Sequence, residues 1–305
     1  MNILLIGGSG FIGKAILNKL LDEGHTVMAT QHKTPIGTAQ HPKLTVIKTA
    51  IGKIRLSKLP YIPDVVIHAA RNNASFGGKW GRMMVAAKGF VENNRLMNEV
   101  RSSKTPVRMI YISGSLMYGN APQQFIDETF PTRPVSFARE YVQAEKPILK
   151  EIEKSNPNVV MLRVPWVIGD GSWFKWNYAN YMARHKAVPL YGNGQNRMTF
   201  VDVADIANAV EKLLGFQLSG LLNIYNPERM TQQDWATKLS IVSGLPVHQL
   251  SNTEMAALGK AVNEAFNTDI WLSSIHSELL ASLQKDMMPV SRIVERYLPS
   301  MLQNI

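Results

Sequence analysis

The first two dozen residues constrain this chain more than any other stretch. Asn2 to Ile6 is a short apolar run, Gly7-Gly-Ser9-Gly10-Phe11-Ile12-Gly13 is a turn dense in glycine, and Phe11 to Glu23 carries Ile12, Ile16, Leu20 and Leu21 at helical spacing. A buried strand that turns tightly into a helix opens a parallel α/β sheet. In such a unit Gly7 allows the turn, Gly10 lets the backbone approach a pyrophosphate, and Gly13 lets helix and strand pack closely. The helix N-terminus then offers N–H donors and the positive end of its dipole to phosphates. The expected dinucleotide contacts in this turn are Gly7, Ser9, Gly10, Phe11, Ile12 and Gly13. A competing reading, a P-loop over Gly8 to Ala15, fails because Ala15 has no hydroxyl for Mg²⁺ where that loop needs Ser or Thr. Gly24 is expected to end the helix in a left-handed conformation.

The rhythm continues. His25–Thr30, Leu44–Lys48, Asp64–Ala69, Met109–Ser113 and Val159–Arg163 read as further strands, with helices over Val85–Arg101 and Phe137–Lys154. Continuous apolar strands alternating with helices predict an α/β fold: a doubly wound parallel (Rossmann) sheet covered on both faces. After Val164 the pattern changes. Trp166, Trp173, Trp176, Tyr178 and Tyr181 crowd together, either as a ligand-facing surface or as a local core. Helices are expected over Asp202–Leu214, Thr231–Gly244 and Leu272–Leu283, with a strand at Leu221–Tyr225. The expected division is a dinucleotide-binding domain over 1–163, with a return strand near 220–226. A smaller, interwoven substrate lobe takes most of 164–305.

Charge narrows the ligands. The net charge is +10, yet between Gly24 and Val91 the only acid is Asp64. That stretch holds Lys33, Lys43, Lys48, Lys53, Arg55, Lys58, Arg71, Lys79, Arg82 and Lys88. Such a bias suits nucleic acid or phosphate-rich small molecules. No nucleic-acid motif accompanies it, so the expectation is a small-molecule substrate, phosphorylated or not, and no nucleic acid. The absence of cysteine excludes disulfides, thiolate metal sites and a Cys nucleophile. The seven His include no i, i+4 pair, and no metal is expected. No apolar run reaches the ~18 residues of a membrane span, and a cytoplasmic protein without membrane contact is expected. An NAD site usually places an acid about 20 residues past the glycines, on the ribose. Here the second strand ends Thr30-Gln31-His32-Lys33, two basic groups and no carboxylate. His32 and Lys33 therefore favour NADP(H) over NAD(H).

Several of these marks, in this order, resemble the extended short-chain dehydrogenase/reductases, also called NAD-dependent epimerase/dehydratases. Beyond Gly7, Gly10 and Gly13 the likeness rests on Pro63-Asp-Val-Val-Ile-His-Ala-Ala70, on Tyr118-Gly119, and on Leu162-Arg163 followed by Gly169-Asp-Gly171. It rests also on Gly192-Asn-Gly194 with Arg197 and Phe200-Val-Asp-Val-Ala-Asp205, and on Asn223-Ile-Tyr-Asn226. The resemblance implies that Ala69, Ala70, Arg71 and Ser113 lie against the cofactor. Met117, Phe137, Trp166 and Arg197 would face substrate. Pairing into a homodimer through the helices at Val85–Arg101 and Phe137–Lys154 is also implied.

The resemblance breaks where chemistry is done. The family's Ser/Thr, Tyr and Lys fall at Gly114, Phe137 and Tyr141, so the usual phenol, hydroxyl and ammonium are all missing. The family's opening Thr is Ile6, and the acid after the third strand is absent from Lys48-Thr-Ala-Ile51. Ser113 or Ser115 could replace the lost hydroxyl. If Tyr141 were the catalytic phenol, Glu145 would stand one turn along, where a charge would raise a phenol pKa. The candidate proton donors are Ser115, Tyr118, Tyr141 and water. Two functions follow: an oxidoreductase or epimerase-type enzyme on a small carbonyl or nucleotide-sugar-like substrate with rewired catalysis, or an inactive NADP(H)-binding structural or sensor module.

Overall fold

The computed structural model describes residues 1–37, 40–72 and 78–303, without the side chains of residues 78, 79, 82 and 140. Lys79 and Arg82, counted in the basic stretch, thus have side chains outside the described set. The chain forms two compact units. The first contains Met1–Ser113, Glu140–Arg163 and Ile206–Leu222; the second contains Gly114–Arg139, Val164–Asp205 and Asn223–Ile305.

The first unit is built on a seven-stranded parallel sheet. Its strands are β1 (Asn2–Ile6), β2 (Thr26–Gln31), β3 (Leu44–Lys48), β4 (Val65–His68), β5 (Arg108–Gly114), β6 (Val159–Val164) and β7 (Gly220–Asn223). They run in the order β7-β6-β5-β4-β1-β2-β3, so the order reverses at β1. Ile3 faces Val27 on one side and Val65 on the other. Ile3, Leu4, Leu5 and Ile6 are fully buried, which is why β1 is apolar without alternation. Edge strand β3 alternates instead, half exposed.

The helices of this unit include α1 (Phe11–Asp22), α2 (Gly78–Arg101) and α3 (Val142–Glu153), and most of a later helix, Val203–Leu213, belongs to it too. Gly24, at φ +80°, follows α1 as expected. The core on one face joins Leu4, Met28, Val66, Met97, Ile148 and Met161. Helices α2 and α3 touch closely: a Cβ on Gly89 would lie 2.8 Å from that of Ala144.

One expected element is corrected. No helix runs from Phe137. α3 starts at Val142 after a short 3₁₀ turn over Arg139–Tyr141. The preceding segment is strapped into the second unit by Arg133 N–H to Tyr118 O, Val135 N–H to Leu116 O, and Ser136 N–H to Glu264. Phe137 and Tyr141 therefore do not share a helical face.

The second unit has an aromatic core. Trp173, Phe174, Tyr178, Tyr191, Phe200, Trp235 and Phe266 pack in stacked and edge-on pairs, with Tyr191 and Phe266 4.0 Å apart between centroids. The crowd of aromatics after Val164 is thus mainly a local core, although Trp176 stands exposed. Strands here are two or three residues long, such as Trp166–Ile168 beside Phe200–Asp202. The helix at Gln232–Ser243 is fixed by a capping box between Thr231 and Asp234. The helix expected over Leu272–Leu283 begins only at Ser277 and ends at Gln284. Its early residues are spent otherwise: Leu272 bridges Ile126, and Glu128 accepts from Ser274 Oγ and Ile275 N.

Candidate dinucleotide and proton-transfer site

The glycine turn closes on itself. Gly7 sits at φ +94° and its N–H donates to Thr30 Oγ1 at 3.2 Å. A Cβ on Gly7 would come within 2.8–2.9 Å of Ala70, and one on Gly13 within 1.9 Å of Gly7 O. Both positions are closed to side chains by backbone packing. Gly10 differs: it is exposed, and a Cβ there would meet only Gly7 O, at 3.3 Å. The space is open beside the one glycine of the turn expected to admit a pyrophosphate. Gly10 also caps α1 with no side-chain hydrogen bond, and no acid lies in the first turn. These features fit a dinucleotide's phosphates at the turn. Ser9, Phe11 and Ile12 complete it, and His32 and Lys33 lie exposed just past β2.

A buried chain of hydrogen bonds supports this loop. The Ala70 N–H donates to His68 Nδ1 at 3.3 Å, so Nε2 carries the proton and donates to Asn93 Oδ1 at 3.0 Å. Asn93 Nδ2 in turn donates to Ala144 O at 2.7 Å. His68 thereby ties β4 to α2 and α3. Burial pushes it down to about 4, so the ring is neutral at ordinary pH.

The expected serine alternatives differ in freedom. Ser113 donates to Glu145 Oε1, while Arg163 Nη1 reaches Ser113 Oγ at 2.5 Å and Glu145 Oε2 at 2.7 Å. All three side chains are buried. The Ser113 hydroxyl is thus taken up by an ion pair. Tyr141 is only half buried, and the Arg71 guanidinium lies 3.9 Å above its ring centroid. Tyr141 lacks a charge of its own, but a distant residue brings one.

The remaining expected residues lie in the second unit. Tyr118 is buried and donates to Asn223 Oδ1 at 2.8 Å; Asn223 Nδ2 donates to Ser273 O at 2.8 Å and Ile126 O at 3.2 Å. This phenol knits the lobe together. Ser115 and Met117 are buried, Gly114 is extended with room for a small side chain, and Phe137 is 40% exposed. Trp166 stacks on Phe266 at 5.2 Å. Arg197 Nε donates to Asp269 at 2.8 Å, and its Nη2 to Ala121 O and Gln124 O, each at 3.1 Å. Its guanidinium also lies over Trp271. Its charge is largely used within the lobe.

Sequence reasoning gave no role to His68, Asn93 or the Glu145–Arg163 pair. A signal existed for the last: an arginine inside the apolar run Val159–Val164 must find a partner when buried. It also missed an acidic pair. Asp202 accepts from Tyr297 Oη at 2.9 Å and Arg296 at 3.3 Å, whereas buried Asp205 has no partner for Oδ2 among the described residues. Burial, then the neighbouring Asp202, push Asp205 up to about 7.

A parallel sheet reversing at a glycine turn, with a basic rim at the ends of its strands, defines a nucleotide-binding α/β protein. The chain belongs to the NAD dependent epimerase/dehydratase family, whose model matches residues 3–226. It is 27% identical over 176 residues to a dTDP-6-deoxy-L-talose 4-dehydrogenase (NAD(P)(+)) of Kitasatospora kifunensis, a match covering 55% of this chain and 53% of that relative. The chain therefore spans about half the length of that curated relative. The human epimerase family protein SDR39U1, solved with NADPH, superposes with a TM-score of 0.77 at 18% identity, covering 100% of both chains. A UDP-glucuronic acid 4-epimerase of Bacillus cereus, solved with NAD, superposes with a TM-score of 0.78 at 20% identity, covering 100% of this chain and 99% of that one. Among the described residues no helix is long and apolar enough to cross a membrane.

Proposed function

We propose that this protein is an NAD(P)-dependent oxidoreductase or epimerase-type enzyme acting on a carbonyl of a small, nucleotide-sugar-like molecule, with Tyr141 as its proton donor. One observation carries the reading: Gly7 and Gly13 are closed by backbone, while exposed Gly10 has a single close neighbour, Gly7 O at 3.3 Å, which suits the close approach of a pyrophosphate. Family membership supports it. Gly7, Ser9, Gly10, Phe11, Ile12 and Gly13 would hold the phosphates, with Ala69 and Ala70 beside them. The bound nicotinamide would supply hydride chemistry.

What the chain itself supplies is proton handling. Ser113 is held by Glu145 and Arg163, and Tyr118 by Asn223. Tyr141 is half buried with a cation against its ring, and stands as the best donor. General acid catalysis typically contributes about 10²–10⁴-fold. NADP(H) is the preferred cofactor, because His32 and Lys33 follow β2 where no carboxylate stands. The relative named for NAD(P)(+) and the neighbour solved with NADPH are compatible with that preference.

The test is NADPH oxidation by the full-length protein against a panel of nucleotide-4-ketosugars and simpler ketones. Tyr141→Phe should lower kcat about a hundredfold with little change in KM. An unchanged rate would remove Tyr141 from the mechanism.

A further inference from the structure

The carboxyl-end rim of the first unit's sheet has an uneven charge. His32 and Lys33 follow β2, Lys48 ends β3, and Arg71 lies three residues past β4. The one acid of β4's neighbourhood, Asp64, sits at the opposite end, accepting from the Asn2 N–H at 2.8 Å. Glu145 is buried and committed to Arg163. Among the described residues no carboxylate pairs with Arg71, whose side chain is exposed.

Arg71 is nonetheless held in place. Its guanidinium carbon lies over the Tyr141 ring, 3.9 Å from the centroid. Its backbone follows Ala70, which Gly7 packs against and His68 anchors. Stacking occupies the face of a guanidinium and leaves the in-plane N–H donors pointing outward. Those donors form a fork that matches two oxygens of a carboxylate or phosphate. A stacked and backbone-anchored arginine has also lost most of the freedom that binding would otherwise cost.

We propose that Arg71, clamped on Tyr141, is a preorganised oxyanion site that grips a phosphate or carboxylate of the ligand beside the Tyr141 phenol. The inference rests on the function proposed above; where the clamp holds the substrate, it narrows the substrate class to molecules with an acid group near the reacting carbonyl. The oxyanion has two sources, the dinucleotide itself or a free acid group of the substrate.

Calorimetric titration of the full-length protein separates them. In one arm NADPH is titrated into the native protein and into Arg71→Met. In the other, inorganic phosphate is titrated into both proteins already saturated with NADPH. A substrate-side clamp predicts that Arg71→Met weakens phosphate binding about tenfold or more, with NADPH affinity nearly unchanged. A dinucleotide-side clamp predicts an equal loss for NADPH, with no phosphate binding to the native complex. Tyr141→Ala keeps the charge but removes its support, and should show part of the same loss. Equal affinities of native protein and Arg71→Met for both probes would overturn the proposal. If the native protein bound no NADPH, the enzymatic reading would fall. The clamp would then stand or fall on whether the unloaded protein loses phosphate binding with Arg71→Met.

Discussion

Two buried polar clusters, one in each unit of this chain, are matched in different ways. In the first unit His68 is answered by Ala70 and Asn93, and Ser113 by Glu145 and Arg163. In the second, Asp202 is answered by Arg296 and Tyr297, while Asp205 Oδ2 has no partner among the described residues. A satisfied network rigidifies a site, whereas an unmatched acid makes a region depend on its protonation. The cluster in the first unit keeps His68 neutral at ordinary pH, and ionisation of Asp205 costs the second unit stability.

The largest effect should come from breaking the first unit's ion pair. Arg163→Leu strands Glu145 without its partner, and should cost about 3–5 kcal/mol by denaturant unfolding. Replacing both residues, as Arg163→Leu with Glu145→Leu, should recover much of that. A single variant as stable as the native chain would mean that Glu145 finds another partner.

Next in size is pH dependence, where the units should differ in sign. His68 has a folded pKa of about 4 against an ordinary 6.5, so between those values the unfolded chain binds more protons. Its contribution is fully present above about 6.5 and is lost as pH falls toward 4, on the order of 3 kcal/mol in all. Asp205 has a folded pKa of about 7 against an ordinary 3.8, so there the folded state binds more protons. Its contribution runs the other way, and stability is lost as pH rises from about 4 through 7. His68→Gln should flatten the acid limb of a Tm-versus-pH curve, and Asp205→Asn should raise Tm at pH 8 far more than at pH 5. Parallel shifts at all pH values would show that neither group titrates on unfolding.

The smallest effect concerns assembly. On α2, Trp80, Met83, Met84, Phe90 and Val91 stand exposed, and at about 100° per residue they fall on one helical side as an apolar stripe. We propose that a homodimer forms over this stripe. Met84→Glu should then shift the sedimentation coefficient toward the monomer while leaving Tm within a few degrees. A native protein that sediments as a monomer at high concentration would remove the dimer.

The same contrast explains what the sequence disclosed. β1 and β4 were legible because continuous apolar runs bounded by glycine or charge admit few other folds. The glycine turn was legible because three glycines at that spacing serve three separate contacts. In the second unit, strands of two or three residues fall below any periodicity, and the aromatic crowd around Trp173 read equally well as core or surface. The helix Val290–Gln303 buries Val290, Ile293, Val294, Leu298 and Met301 at helical spacing, but Pro299 within it masks the pattern. The late start of α3 was invisible because it depends on tertiary bonds such as Ser136 N–H to Glu264. For the same reason the partnership of Arg71 with Tyr141, residues far apart in sequence, could not be read from either motif.

The account stands on the turn at Gly10 being a dinucleotide site in a chain whose polar network holds it ready. Titrating NADPH and NADH into the native protein and into Gly10→Val, followed by calorimetry, tests this most directly. Gly10 is exposed and a Cβ there would meet only Gly7 O, at 3.3 Å, so the valine variant should fold after a small local shift, with a Tm a few degrees below native. The native protein should bind both cofactors, NADPH more tightly, and the valine variant should bind neither. A native protein that binds neither cofactor, or a valine variant with unchanged affinity, would contradict the account.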